Sequence, residues 1–199
     1  MYWKIKKDQN PTYYNYFHRH PDTISSKFFG IFIYIFPLIG LYTLMEFKKS
    51  FKLLKNLPKK LNSFYAKRSR SSLIITNKSK NKKNFNPVTN FDKAFEKYIR
   101  LLIHKKFSKD SIIGEEFQDE HLSGDYQWCI DPIDGTRAFI IGSPTWSNLI
   151  GLSYKKKSIL GLANFPELNK YYINDKKNSY LYKNGKIFLL KSSNETDLK

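Results

Sequence analysis

Cysteine is almost absent from this chain of 199 residues: Cys129 is the only one, so no intrachain disulfide can form. That scarcity sets aside the disulfide-stapled secreted scaffolds and fits a reducing cytoplasm. Cys129 lies in the apolar run Trp128-Cys129-Ile130, where a small buried hydrophobe is expected rather than a nucleophile. Acidic residues are also scarce, 17 against 35 Lys and Arg, for a net charge of +18. There is no internal repeat, which excludes solenoids and propellers. The length suits one hydrophobic core with room for an appendage.

The charge is unevenly placed. Residues 1–60 carry +8 and residues 61–90 carry +7, whereas residues 91–199 carry only +3. Lys, Asn, Ile, Phe and Tyr are all abundant and all have A/T-rich codons, so base bias accounts for much of the excess. The alternative is a basic segment that attracts nucleic acid or anionic lipid. The rest is nearly neutral, and no nucleic-acid partner is expected for it.

Residues 28–45 contain no charged side chain, and at 18 positions the run is just long enough for a membrane-spanning helix. Gly30, Pro37 and Gly40 weaken it. The lysines from Lys48 to Lys60, against Arg19 and Lys27 upstream, would leave the C-terminal part facing the cytoplasm as an inner-membrane tether. The other readings are a buried core helix or a segment outside the working protein. Translation from Met45 would make residues 1–44 an upstream extension and residues 46–199 the working domain. The cluster Tyr13, Tyr14, Tyr16, Phe17, His18 and His20 in that extension is expected at the surface or in disorder.

Elsewhere the pattern alternates helix and strand. Phe47, Phe51, Leu54 and Leu57 predict an amphipathic helix that Pro58 kinks or ends. Ser71 to Thr76 reads as a strand, and 77–86 as a Lys-rich loop. Phe95, Tyr98, Ile99, Leu102 and Ile103 predict a second helix, with Lys97, Arg100 and Lys105 elsewhere around its axis. Thr89 and Asp92 resemble a capping box at its start. Two hairpins follow, 148–154 with 159–165 and 180–182 with 187–190, the second turning on Asn184-Gly185. The sum is an antiparallel sheet with helices on one face.

The chemistry concentrates in CIDPIDGTRA, residues 129–138. Asp131 and Asp134 flank Pro132 and Ile133 at the exit of a short apolar strand, which Pro bars from being helix interior. Hard oxygen ligands gathered there suit Mg²⁺. Gly135 lets the backbone approach an anion, and a helix opening at Thr136 would offer free N–H groups to phosphate.

DPIDGTRAF, preceded by IIGEEF (residues 112–117) and NPVTNFDKAFE (residues 86–96), resembles the inositol monophosphatase family of Mg²⁺-dependent, lithium-sensitive phosphomonoesterases. Arg-Ala-Phe after the DGT is closest to the histidinol-phosphatase branch. The resemblance implies an α+β fold, the layered helix and antiparallel-sheet architecture of sugar phosphatases. It also implies a small phosphorylated metabolite as substrate, histidinol phosphate or alternatively inositol 1-phosphate, and allows a homodimer. By the same carry-over Glu115 would bind a first metal and orient the attacking water, and Asp131 would be shared with a second. The Ile133 carbonyl would complete part of the first shell, and Asp134 would bind the second ion. Thr136 with Asp92 would activate the water, and the Gly135 and Thr136 amides would hold phosphate. The family's second, α/β half contains a Trp-Asp motif whose carboxylate is a further ligand. Trp3, Trp128 and Trp146 are not followed by Asp, so only the N-terminal half is expected here, with an inactive fragment as the alternative.

Overall fold

The computed structural model describes residues 24–68, 72–79 and 85–192, with side chains from residue 43 onward. The chain divides into two compact units, residues 1–49 and 50–199. The Tyr- and His-rich cluster at 13–20 and part of the Lys-rich loop, 80–84, lie outside the described residues. So do the side chains of most of the apolar run. Among the described residues no helix is long and apolar enough to cross a membrane.

Helix α1, Ile24–Ala66, does not stop at Pro58. Leu53, Leu54, Leu57 and Leu61 on either side of the proline are all at most 1% exposed. Burial of that stripe outweighs the lost hydrogen bond, which costs about 3 kcal/mol in an isolated helix interior. Strands β1, Ile75–Asn77, and β2, Pro87–Thr89, pair antiparallel as a small ribbon. The expected strand over 71–76 is therefore shorter and shifted to its C-terminal end.

Helix α2, Asn90–His104, begins with the capping box its sequence suggests. Thr89 Oγ1 accepts from the Phe91 and Asp92 amides, and Asp92 Oδ2 accepts from the Thr89 amide at 2.7 Å. Phe91, Phe95, Ile99 and Ile103 form its buried stripe. Arg100, off that stripe, is also buried, because buried Glu96 one turn earlier pairs with it at 2.8 Å.

Strands β3, Ser111–Gly114, β4, Tyr126–Asp134, β5, Ser147–Tyr154, β6, Lys157–Phe165, β7, Lys170–Asn174, β8, Ser179–Lys183, and β9, Lys186–Leu190, form one sheet in sequential order. All pairs are antiparallel except β3 with β4, which run parallel. Strand β7 had no sequence signal of its own, since Lys170 to Asn174 mixes polar and aromatic residues without clean alternation. Both predicted hairpins form. Lys155-Lys156 and Asn184-Gly185 supply the paired positive φ values that a two-residue turn between twisted strands demands.

The core lies between the helices and one sheet face. Trp146 is fully buried, edge-on to Phe139 at 5.0 Å and to Tyr65 of α1 at 5.1 Å. The other face bears Cys129, Gly151, Gly161, Ala163 and Tyr172, which line an open concavity of about 670 Å³. Cys129 is thus exposed, not buried as expected, because it points away from the helices. Burial of its surroundings, with Asp119 next, pushes its thiol up and keeps it a poor nucleophile.

Candidate active site

Strand β4 continues past the point where the sequence predicted its exit. It runs to Asp134, with a register break between Asp131 and Asp134 against β5. Pro132 cannot donate to the ladder, so the strand bulges there, and a bulge re-aims the side chains around it. The Pro132 carbonyl freed from the ladder accepts from Asn148 Nδ2 at 2.6 Å. Asn148 Oδ1 in turn accepts from Asn164 Nδ2 at 2.9 Å, and the same nitrogen reaches Asn62 Oδ1 of α1 at 2.9 Å. Asn148 and Asn164 are fully buried. This amide relay braces the bulge from behind, and nothing in the motif itself pointed to it.

Asp131 is half-buried on the open face, where one of its oxygens, Oδ1, is buried without a hydrogen-bond partner. Burial first, then Glu115, then Asp134 and Asp92 push its carboxyl up to about 7. Its carboxyl is within hydrogen-bond reach of Glu115. These four acids therefore feel one another across three separate elements. Asp92 is 1% exposed at the start of α2, and burial raises its carboxyl against the opposing effect of the Thr89 hydrogen bonds. Ser147 Oγ donates to Asp134 Oδ2 at 3.3 Å, a contact the sequence did not suggest.

Beyond β4, Gly135 takes φ 83° and ψ 42° and caps the one-turn helix α3, Thr136–Ile140. Left-handed backbone at the turn requires glycine. Thr136 Oγ1 lies 3.1 Å from the Ile133 carbonyl and 3.4 Å from Asp92 Oδ1, so the turn and the cap of α2 meet at one hydroxyl. Among the described residues Arg137 meets no acid: its guanidinium donates to the Phe85 carbonyl and sits 6.0 Å from that ring's centroid.

Glu115 and Glu116 are adjacent but unlike. The Glu115 side chain is 46% exposed and that of Glu116 2%. Lys78, just past β1, bridges them at 3.0 and 2.5 Å. Burial works to lower the Lys78 ammonium, but its hydrogen bonds to Glu116 and Glu115 outweigh that and raise it. Burial likewise raises Glu116. Lys78 was hidden in a lysine-rich loop, where no single lysine stood out. The acidic loop is anchored below by Glu96, which accepts from the Glu116 amide at 2.7 Å. A Cβ at Gly114 would fall on Glu96 Oε1, so only glycine fits that strand exit.

The donor set is all hard oxygen, holds an orphaned carboxylate oxygen and carries mutual repulsion that a divalent cation would relieve, so these residues fit Mg²⁺. Among the described residues, however, no three acidic, His or Cys side chains close into a group ready to hold an ion.

A sequence model described as the inositol monophosphatase family matches residues 50–199. The chain is similar to a histidinol-phosphatase of Chlorobaculum parvum, 47% identical over 92 residues, covering 46% of this chain and 35% of that one. It is also similar to the chloroplastic bifunctional phosphatase IMPL2 of Arabidopsis thaliana, 40% identical over 94 residues, covering 46% of this chain and 27% of that one. Among solved structures, an IMPase/NADP phosphatase complexed with Mg²⁺ and phosphate superposes with a TM-score of 0.61 at 17% identity, covering 68% of this chain and 51% of that one. That superposition shows the layered α+β fold, and the chain spans about half the length of this solved relative.

Proposed function

Because the chain belongs to the inositol monophosphatase family, we propose that it contributes the catalytic face of a Mg²⁺-dependent phosphomonoesterase acting on a small phosphorylated metabolite. The observation that carries the reading is the half-buried Asp131 carboxyl, one oxygen of which has no hydrogen-bond partner, held up to about 7 by burial and by Glu115, Asp134 and Asp92. Four acids that repel one another are costly in any role other than gripping a cation.

Bound Mg²⁺ would neutralise phosphoryl charge, make a water a better nucleophile at neutral pH and assist the leaving oxygen. Glu115 and Asp131, with the Ile133 carbonyl, would hold one ion, and Asp131 with Asp134 a second. Glu115 would orient the attacking water. The Thr136 hydroxyl, between Asp92 and the Ile133 carbonyl, would take part in removing the water's proton toward Asp92. Amides at Gly135 and Thr136 would hold phosphate oxygens at the opening of α3. Histidinol phosphate is the favoured substrate, supported by the 47% identity to a histidinol-phosphatase; inositol 1-phosphate is the alternative.

A second reading is a catalytically incomplete half. The chain spans about half of the solved relative, so a complementing half is part of the test. Phosphate release from histidinol phosphate and inositol 1-phosphate, with and without Mg²⁺, separates these readings when run on the chain alone and with a C-terminal half supplied. Turnover by the chain alone supports the first reading, and turnover only on complementation supports the second. No Mg²⁺-dependent release in either arrangement overturns the phosphatase assignment.

A further inference from the structure

We propose that Lys78 is a tethered counter-cation that holds Glu115 in the metal-free protein and competes with a divalent cation for it. The inference rests on the reading of the acidic cluster as a Mg²⁺ site and adds a residue that governs how tightly that site loads. Lys78 Nζ donates to Glu115 Oε1 at 3.0 Å and to Glu116 Oε1 at 2.5 Å. Among the described residues it is the one cation in contact with either side chain. Glu115 is also within hydrogen-bond reach of Asp131, whose Oδ1 has no partner, so the ammonium stands beside the oxygens a metal would need.

The placement is built into the ribbon of β1 and β2. The Lys78 amide donates to the Asn86 carbonyl at 2.8 Å, and Asn77 Oδ1 accepts from the Ser79 and Asn86 amides at 3.1 and 2.9 Å. The pairing of Asn77 with Pro87 lies just behind. The backbone at Lys78 is thus pinned at the mouth of a ribbon whose other strand leads through Thr89 to Asp92. An ammonium on a flexible four-carbon stem, launched from a fixed base, can leave one partner without giving up the other.

The two partners differ in the way such an exchange requires. The Glu116 side chain is buried and its amide donates to Glu96 Oε2 at 2.7 Å, so it is a fixed anchor whose charge would be stranded without Lys78. Glu115 is nearly half exposed and its contact with Lys78 is the longer one, so releasing it costs little. A dication held by Glu115 and Asp131 therefore takes the Glu115 contact from Lys78 and leaves the ammonium on Glu116. A unit positive charge kept a few ångströms from a dication opposes its binding even in a water-like medium. The lysine that keeps the acidic loop intact without metal accordingly weakens the loop's grip on metal.

Two measurements on the full chain test this: urea unfolding in EDTA and calorimetric titration with Mg²⁺. In Lys78→Met the metal-free midpoint should fall while Mg²⁺ binds roughly tenfold or more tightly. A merely structural lysine would lower both. Lys78→Gln, which still donates to the carboxylates but carries no charge, guards against a misfolded Met variant and should show the same tightening. Lys78→Arg keeps the charge and should keep the wild-type affinity. Mg²⁺ affinity equal or weaker in both neutral variants, or a metal-free midpoint unchanged in Lys78→Met, would overturn the role of Lys78 and leave the metal site standing. Absence of Mg²⁺ uptake by the wild-type chain would overturn the metal reading itself, and this inference with it.

Discussion

Asn148 Nδ2 donates to the Pro132 carbonyl at 2.6 Å, fixing the backbone between the two aspartates of the DPID turn. The proline that re-aims Asp131 also frees that carbonyl from the strand ladder, and a buried amide on the neighbouring strand takes it up. Substituting Asn148→Ala would leave the carbonyl and Asn164 Nδ2 short of a buried partner, at a cost of about 1–3 kcal/mol. Urea unfolding should show the lower midpoint, and Mg²⁺ affinity should fall with it. Unchanged affinity would mean the relay is scaffolding without influence on the turn.

The Glu96–Arg100 pair ties the body of α2 to the loop that carries Glu115. Both side chains are buried, and Glu96 also accepts from the Glu116 amide. Arg100→Leu should cost about 3–5 kcal/mol, since it strands a buried carboxylate. Adding Glu96→Gln should recover part of that loss. A double variant no better than the single would show that the guanidinium's link to Glu120, at 2.7 Å, matters more.

Asp131 makes the metal-free protein sensitive to pH in a definite direction. Its folded carboxyl sits at about 7 against an ordinary 3.8, because burial and then Glu115 penalise the charge. Between about pH 4 and pH 7 the folded chain holds a proton that the unfolded chain has lost, so stability falls as pH rises through that window. Urea midpoints in EDTA should therefore be higher at pH 5 than at pH 8, and Asp131→Asn should shrink the difference. A midpoint that rises with pH would contradict the cluster's electrostatics.

Much of this was legible in the residues, and the parts that were not share a cause. The capping box at Thr89 and Asp92, the α2 stripe and both hairpin turns depend on neighbours a few positions away, which sequence displays directly. The burial of Arg100 was not legible because its partner Glu120 meets it only once α2 lies beside the acidic loop. Cys129 was expected inside because an apolar run does not reveal which sheet face is covered. The four residues of β4 beyond Ile130 were hidden by Pro132, which reads as a strand end unless a bulge is recognised. Among the site residues, Asp131, Asp134 and Gly135 sit together because the motif is contiguous. Lys78, Ser147 and Asn148 reach them only through tertiary pairing, so no local spacing announced them.

The central claim is that the acids around Asp131 grip a divalent cation. Isothermal calorimetry of the folded chain with Mg²⁺, and with Mn²⁺ as a second probe, tests it directly. Saturable uptake that disappears in Asp131→Asn and in Glu115→Gln, with both variants still folded by circular dichroism, is the predicted result. No uptake by the folded wild-type chain, or uptake undiminished in both variants, would contradict it.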